Sequence, residues 1–252
     1  MIQPLRPRIA AGELLIGTVV TLPAPGVAEV LAGAGFDWLF IDTEHAVLDA
    51  RDAQVLIQAA GDRCACVVRV ASGDGVWIKK ALDTGASGII VPQVNSGDDA
   101  RRVARLGRYP PEGARGVGIG RAQGYGMRVP EYLARANDDV AVIVQVEHID
   151  AVRNIDQIVA VDGIDAVFIG PYDLSASMGR TGEVTHPEVR DAVRSVRDAC
   201  RAAGRALGVF GVDAAAAAPY VEQGYTLVAV GLDTILLGRA ARETLTALRG
   251  GE

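Results

Sequence analysis

The chain has 252 residues, 50% hydrophobic and 22% charged, and no apolar run approaches the roughly 18 residues that a membrane span requires. A formal net charge of −6 without any basic cluster argues against a nucleic-acid surface. The N-terminal MIQPLRPRIAAGELLIG lacks the apolar core of a secretory signal, so a cytoplasmic protein with neither membrane nor nucleic-acid partners is expected.

In chain order, LLIGTVV (14–20) reads as a first strand, followed by a Pro-Gly turn and the helix GVAEVLAGAG. FDWLFID is the second strand and ends in Asp42-Thr43-Glu44-His45, before a helix from Asp49. Strand three is CVVRV, carrying Arg69, and the helix DGVWIKKALDTG leads to strand four, SGIIVPQV. Cys64-x-Cys66, at the start of strand three, is a weak metal signal and reads as buried reduced thiols. The helix GDDARRVARLG precedes the one long irregular region, 108–130, whose RGVGIGRAQGYG (115–126) is expected to form a lid or wall over the site.

Residues 141–173 form a complete strand–helix–strand unit. AVIVQV and DAVFIG are short buried strands, and Val152, Ile155, Ile158 and Val159 recur at helical spacing between them. A helix from Pro187, strand seven (ALGVFGV), the helix DAAAAAPYVEQG, strand eight (TLVAVG) and a helix from about Asp233 to Leu248 complete the chain. Eight strands each followed by a helix, with no composition shift, predict a single (β/α)₈ barrel over residues 1–252.

In such a barrel the strand ends identify the site. Glu147 and Asp173 leave neighbouring parallel strands at the same rim, and hard carboxylate oxygens suit Mg²⁺ or Mn²⁺. Arg69 near the end of strand three offers fixed donors to the oxygens of a 2-oxo acid. His45, oriented by Asp42, is the candidate proton carrier. Gln145 shares parity with Glu147 and either lies beneath the metal or is a satisfied core amide. His148 reads as structural and His186 as a helix-start residue. Among 25 Lys+Arg residues only Lys79 and Lys80 are lysines, both on a helix away from any strand end. Imine-forming aldolases and pyridoxal enzymes are thereby excluded, so neither a Schiff-base lysine nor pyridoxal phosphate is expected.

These residues carry a family resemblance. AGAGFDWLFIDTEHA (32–46), VVRV (67–70), KKALDTGASGIIVPQV (79–94), RYPPEGARGVG (108–118), VQVE (144–147), VFIGPYDLSASMG (167–179) and VAVGLDTILLGRAA (228–241) resemble the metal-dependent pyruvate aldolases of the 4-hydroxy-2-oxoheptanedioate and 2-dehydro-3-deoxyglucarate aldolase family. The match runs from about Gly17 to Leu248. The resemblance implies a homohexamer whose last helix is exchanged between subunits. It implies a divalent ion (Mg²⁺, Mn²⁺ or Co²⁺) on Glu147 and Asp173, Arg69 on the 2-oxo acid, and His45 as acid–base residue supported by Asp42 and Asp83. Backbone groups near Gly170, Pro171 and Tyr172 would hold the pyruvate carboxylate, with Gln145, Gln123 and Phe210 completing the substrate surface. Gln123 and His148-Ile149 depart from the family pattern and leave the aldehyde acceptor open. The implied reaction is reversible cleavage of 4-hydroxy-2-oxo acids to pyruvate or hydroxypyruvate and an aldehyde. Alternatives are an acyl-CoA lyase of the citrate or malyl-CoA type, which would need a basic surface for the CoA phosphates, and a non-catalytic metal-binding barrel.

Overall fold

The computed structural model describes residues 3–249. Eight parallel strands close in sequence order into one barrel: β1 Leu15–Val20, β2 Trp38–Asp42, β3 Ala65–Arg69, β4 Gly88–Val91, β5 Ala141–Val146, β6 Ala166–Ile169, β7 Ala206–Gly211 and β8 Leu227–Leu232. At least one helix follows every strand, which is the expected (β/α)₈ architecture. The crossover expected as one helix over 150–160 is instead two, Ile149–Arg153 and Ile155–Val159. They break at Asn154, whose side-chain amide donates to the Asn95 carbonyl at 2.9 Å.

Alternation along the strands sorts their side chains into two layers. Trp38, Phe40, Val67, Ile90, Ile143, Phe168 and Leu227 form the barrel interior. Leu39, Ile41, Val68, Ile89, Val144, Ile169 and Val209 pack instead under the surrounding helices. Both faces are dry, which is why the strands read as continuous apolar runs. Cys64 and Cys66 are buried in the outer layer as free thiols. Bulk and its absence alternate inside: a Cβ at Gly17 would stand 2.6 Å from the Trp38 ring, so only glycine fits opposite that indole.

The two mouths of the barrel differ. A helix not anticipated from the sequence, Leu5–Ala10, seats Leu5 and Ile9 in the interior cluster and closes the amino-terminal mouth. Arg6 pins it there through an ion pair to Asp165 (2.7 Å), and Asp165 also receives the buried Arg108 guanidinium at 2.6 Å. The segment 115–126, expected over the catalytic rim, lies with the rest of 108–128 at this same amino-terminal end. Arg121 donates to the Thr84 carbonyl, and Tyr125 reaches Gln58, at the helix ends that precede β4 and β3. The carboxyl-terminal mouth stays open, so the site has one approach. Asp233 closes the β8–β1 seam beside that mouth, accepting from the Thr21 and Leu22 amides and the Thr21 hydroxyl at 2.7–2.9 Å. Beyond it, the helix Asp233–Arg249 leaves Leu237, Leu245 and Leu248 exposed.

Candidate active site

The alternation that fills the barrel with apolar groups delivers polar ones at its carboxyl end. The inward series Phe40–Asp42, Val67–Arg69, Ile143–Gln145–Glu147 and Phe168–Gly170 each end on the open rim. The β2–β3 register places Asp42 directly beside Arg69. The two form a two-point ion pair, Arg69 Nε to Asp42 Oδ1 at 2.9 Å and Nη2 to Oδ2 at 2.7 Å. The Arg69 guanidinium also lies 5.2 Å from the centroid of the Phe40 ring. Burial alone would raise the Asp42 carboxyl; the Arg69 hydrogen bonds and charge, with the amides of Glu44 and His45, overcome it and hold Asp42 below its ordinary value.

Asp42 therefore does not orient the His45 imidazole as the sequence suggested. Its Oδ1 receives the backbone amides of Glu44 and His45 at 3.1 and 3.3 Å, so it shapes the turn that carries them. The carboxylate nearest the imidazole is Glu44, with 3.8 Å between Oε2 and His45 Nε2. The same Glu44 oxygen is 3.2 Å from Arg69 Nη1, without hydrogen-bond geometry. Burial, with repulsion from Asp42 and Asp173, raises the Glu44 carboxyl despite the attraction of Arg69. His45 itself is open to solvent at the mouth, its side chain 66% exposed.

Glu147 is held from three sides. Its Oε1 accepts the Gln93 amide at 2.9 Å, and Gln93 adopts a positive φ of 55° to present that amide. Its Oε2 receives the Gln145 side-chain amide. The third neighbour is Gly170: a Cβ there would lie 3.0 Å from Glu147 Cβ and 3.1 Å from Oε2, so glycine leaves this carboxylate its space. Burial, reinforced by the charges of Glu44 and Asp173, pushes Glu147 up to about 7, against the lowering effect of the Gln93 and Gln145 donors. Asp173 stands in the first turn of a helix the sequence did not announce, Pro171–Ser177. The Gly170 amide is already engaged by the Val146 carbonyl at 3.1 Å, so the free donors at this helix start are the amides of Tyr172 and Asp173.

The residues present fit a hard divalent cation. Asp173 and Gln145 line the cavity, Glu147 lies against Gln145, and two buried oxygens nearby, Glu44 Oε2 and Gln145 Oε1, lack hydrogen-bond partners. Four carboxylates, Asp42, Glu44, Glu147 and Asp173, around the single Arg69 guanidinium form an excess of negative charge that a cation relieves. Held by Glu147 and Asp173 alone, such an ion would keep open positions for substrate and water. The cavity, about 150 Å³, is lined by Phe40, Asp42, Arg69, Gln145 and Phe210 together with Gly170–Asp173.

Asp42, Arg69, Gln145, Glu147, Gly170, Pro171, Tyr172, Asp173 and Phe210 are thus brought to one rim, with His45 at its edge. Asp83 and Gln123 are not. Asp83 is the last residue of the helix Gly75–Asp83, which runs back from β3 and ends at the amino-terminal face. It pairs there with Arg115 at 3.0 Å, and Gln123, fully buried, donates to Tyr109 at 3.1 Å and lies 3.4 Å from Asp83. Neither reaches His45 within one chain. His186, read as a helix-start residue, and His148, read only as structural, both cap helices through Nδ1. Lys79 and Lys80 are exposed on the helix Gly75–Asp83, outside the barrel. The sequence reading missed Glu44 and Gln93. Glu44 could have been found because it follows Asp42 at the same period-two spacing as Glu147 follows Gln145; nothing in the sequence marks the Gln93 amide.

Fold and rim define an α/β-barrel enzyme for a small-molecule substrate. The profile of the HpcH/HpaI aldolase/citrate lyase family matches residues 16–240, and the chain belongs to that family. It is 46% identical to a 4-hydroxy-2-oxo-heptane-1,7-dioate aldolase of Salmonella dublin, over 97% of this chain and 93% of that protein. It is 42% identical to a hydroxypyruvate/pyruvate aldolase of Pseudomonas aeruginosa, over 99% and 94%. Among solved structures, an HpcH/HpaI aldolase/citrate lyase family protein from Burkholderia cenocepacia superposes with a TM-score of 0.93 at 42% identity, covering 97% of this chain and 98% of that one.

Proposed function

We propose that this protein is a divalent-metal-dependent aldolase that reversibly cleaves 4-hydroxy-2-oxo acids to pyruvate, or hydroxypyruvate, and an aldehyde. The observation that carries the reading is the rim itself: Arg69 fixed by Asp42 beside two carboxylates, Glu147 and Asp173, around a cavity sized for a three-carbon 2-oxo acid. The names of the relatives support the same class of reaction. A divalent ion, held by Glu147 and Asp173, would supply Lewis-acid stabilisation of the developing enolate charge.

The chain's own residues do the rest. Arg69, its Nε and Nη2 committed to Asp42, turns its remaining donors toward the 2-oxo acid oxygens. The free amides of Tyr172 and Asp173 receive the carboxylate. His45, at the solvent edge beside Glu44, carries the proton to and from the acceptor oxygen. Gln145 holds Glu147 in place, and the apolar floor of Phe40 and Phe168 excludes water from beneath the reacting carbons.

We further propose a homohexamer with an exchanged last helix. The uncovered leucines of Asp233–Arg249 support exchange, and exposed Val117, Ile119, Tyr125 and Met127 mark the amino-terminal face as a surface with something to bury. Asp83 and Gln123 would join a site only where that face of one chain meets the rim of another. With no helix among the described residues long and apolar enough to cross a membrane, a cytoplasmic location fits this reading.

The decisive experiment is pyruvate-dependent turnover with a panel of aldehydes, with and without Mg²⁺, Mn²⁺ and Co²⁺, and with borohydride trapping alongside. Activity should vanish on chelation and return with metal, and borohydride with pyruvate should label nothing. A covalent adduct at Lys79 or Lys80, or full activity in chelator, overturns the reading.

A further inference from the structure

The turn that delivers the Gln93 amide to Glu147 is clamped from outside the barrel, by a residue that is not part of the rim. β4 ends at Val91, and residues 92–96 turn into the helix Gly97–Gly107. Within this turn Gln93 stands at a φ of 55°, a conformation that residues bearing a Cβ seldom adopt. Its own side chain is exposed, so packing does not hold it there. The neighbouring backbone does. Val94 donates to the Gln145 carbonyl at 3.4 Å and Asn95 donates to Asp99 Oδ2 at 3.3 Å. The Asn95 carbonyl accepts the Asn154 side-chain amide at 2.9 Å.

Asn154 stands where its side chain has an obvious local use. It ends the helix Ile149–Arg153 and is the N-cap of Ile155–Val159, the position at which asparagine ordinarily accepts amides of its own helix. No such bond is made. The side chain crosses instead to the turn after β4, and the second helix sits directly against that turn: a Cβ at Gly97 would lie 3.0 Å from Gln157 Cβ. One strand–helix unit thus grips the turn at two points, Glu147 at the Gln93 amide and Asn154 at the Asn95 carbonyl. We propose that Asn154 is a positioning residue for the metal site. Its bond to Asn95 keeps Gln93 in the left-handed conformation, and so keeps the Gln93 amide on the carboxylate that would hold the ion. The inference rests on the metal-dependent reading above and adds to it a determinant of metal affinity that lies on the crossover, outside the cavity.

The test measures Mn²⁺ affinity without substrate, from the electron paramagnetic resonance of the free ion, with urea melts alongside. Asn154→Ala should weaken Mn²⁺ binding about ten-fold, the lower end of the range usual for a group that orients a metal ligand. Glycine takes a positive φ without a Cβ clash, so a Gln93→Gly turn no longer needs its outer anchor. In that background Asn154→Ala should weaken binding no more than about two-fold, as for an uncoupled pair. Asn154→Asp keeps the size and the capping capacity but cannot donate to a carbonyl; it should weaken binding although its charge favours a cation. A residue that only stabilised the crossover would lower the urea midpoint and leave the Mn²⁺ affinity of the folded protein unchanged. That result, or an equal loss of affinity with Gln93 and with Gly at position 93, overturns the positioning role. A wild type that binds no Mn²⁺, or a Glu147→Ala variant that binds it as tightly as wild type, overturns the metal-dependent reading and the positioning role with it. Binding lost in Glu147→Ala but unchanged in Asn154→Ala overturns the positioning role alone.

Discussion

The environment of Glu147 predicts a stability cost that its function requires. In the metal-free protein this carboxyl is 3% exposed, shares its cavity with Glu44 and Asp173, and is pushed from 4.5 up to about 7. An acid whose folded value is raised binds more protons in the folded than in the unfolded state between those two values. Stability therefore falls as pH rises from about 4.5 to about 7 and stays low above. The difference corresponds to about 3 kcal/mol above pH 7, from 1.36 kcal/mol for each tenfold step in the proton equilibrium. Glu147→Gln removes that cost. Its side-chain carbonyl can still accept the Gln93 amide, and Gln145 can rotate so that its unpartnered Oε1 accepts the new amide. Urea melts of both proteins in chelator, from pH 5 to pH 8, should show the variant gaining on wild type with rising pH, by up to ~3 kcal/mol at pH 8. Added Mn²⁺ should then stabilise wild type much more than the variant. A variant no more stable than wild type at pH 8, or a gap that does not shrink toward pH 5, would refute the account of Glu147 as a buried, uncompensated acid.

Arg69→Lys keeps the charge but loses the planar fork on Asp42, so pyruvate affinity and methyl proton exchange should both fall, measured by titration and by NMR. Gly170→Ala places a Cβ 3.0–3.2 Å from Glu147 and the Gln145 amide; calorimetry should show divalent-metal affinity reduced by something like 10–100-fold with the fold intact. His45→Ala should leave pyruvate affinity nearly unchanged and slow cleavage by about 10²–10⁴, the span usual for an acid–base group. Unchanged cleavage from pH 6 to 9 would make its place beside Glu44 structural.

How far the site was legible in the sequence follows from which residues obey strand periodicity. Asp42, Arg69, Gln145 and Glu147 continue alternations begun by Phe40, Val67 and Ile143, so counting by two from the apolar core reaches the rim. The same count from Asp42 reaches Glu44, and treating Asp42-Thr43-Glu44-His45 as a loop concealed it. Asp83 lies away from the rim of its own chain for the converse reason, which leaves its proposed role to a contact between subunits. Helical residues return along the barrel, and one that ends a helix before a strand lies at the amino-terminal face, opposite the chemistry. Segment 108–128 has no period at all, and its position is decided by tertiary partners such as Arg108–Asp165 and Gln123–Tyr109. The N-terminal plug Leu5–Ala10 is too short to announce itself by amphipathic spacing, and burial against Trp38 and Leu15 gives it its place.

The geometry also separates the two halves of the reaction. The 2-oxo acid half of the proposed reaction falls on β2, β3, β5 and the start of the helix after β6, where Arg69 is forked to Asp42 and Glu147 is held by Gln93, Gln145 and the space left at Gly170, so little can change without loss. The groups beyond that rim are less constrained: Tyr172 is 52% exposed and Phe210 only partly buried. Substitution at such positions costs little stability. Two relatives at 42% and 46% identity bear names for different substrates, which a constrained rim with a more variable surround accommodates. Specificity is accordingly to be sought around Phe210 and Tyr172 rather than among Arg69, Glu147 and Asp173.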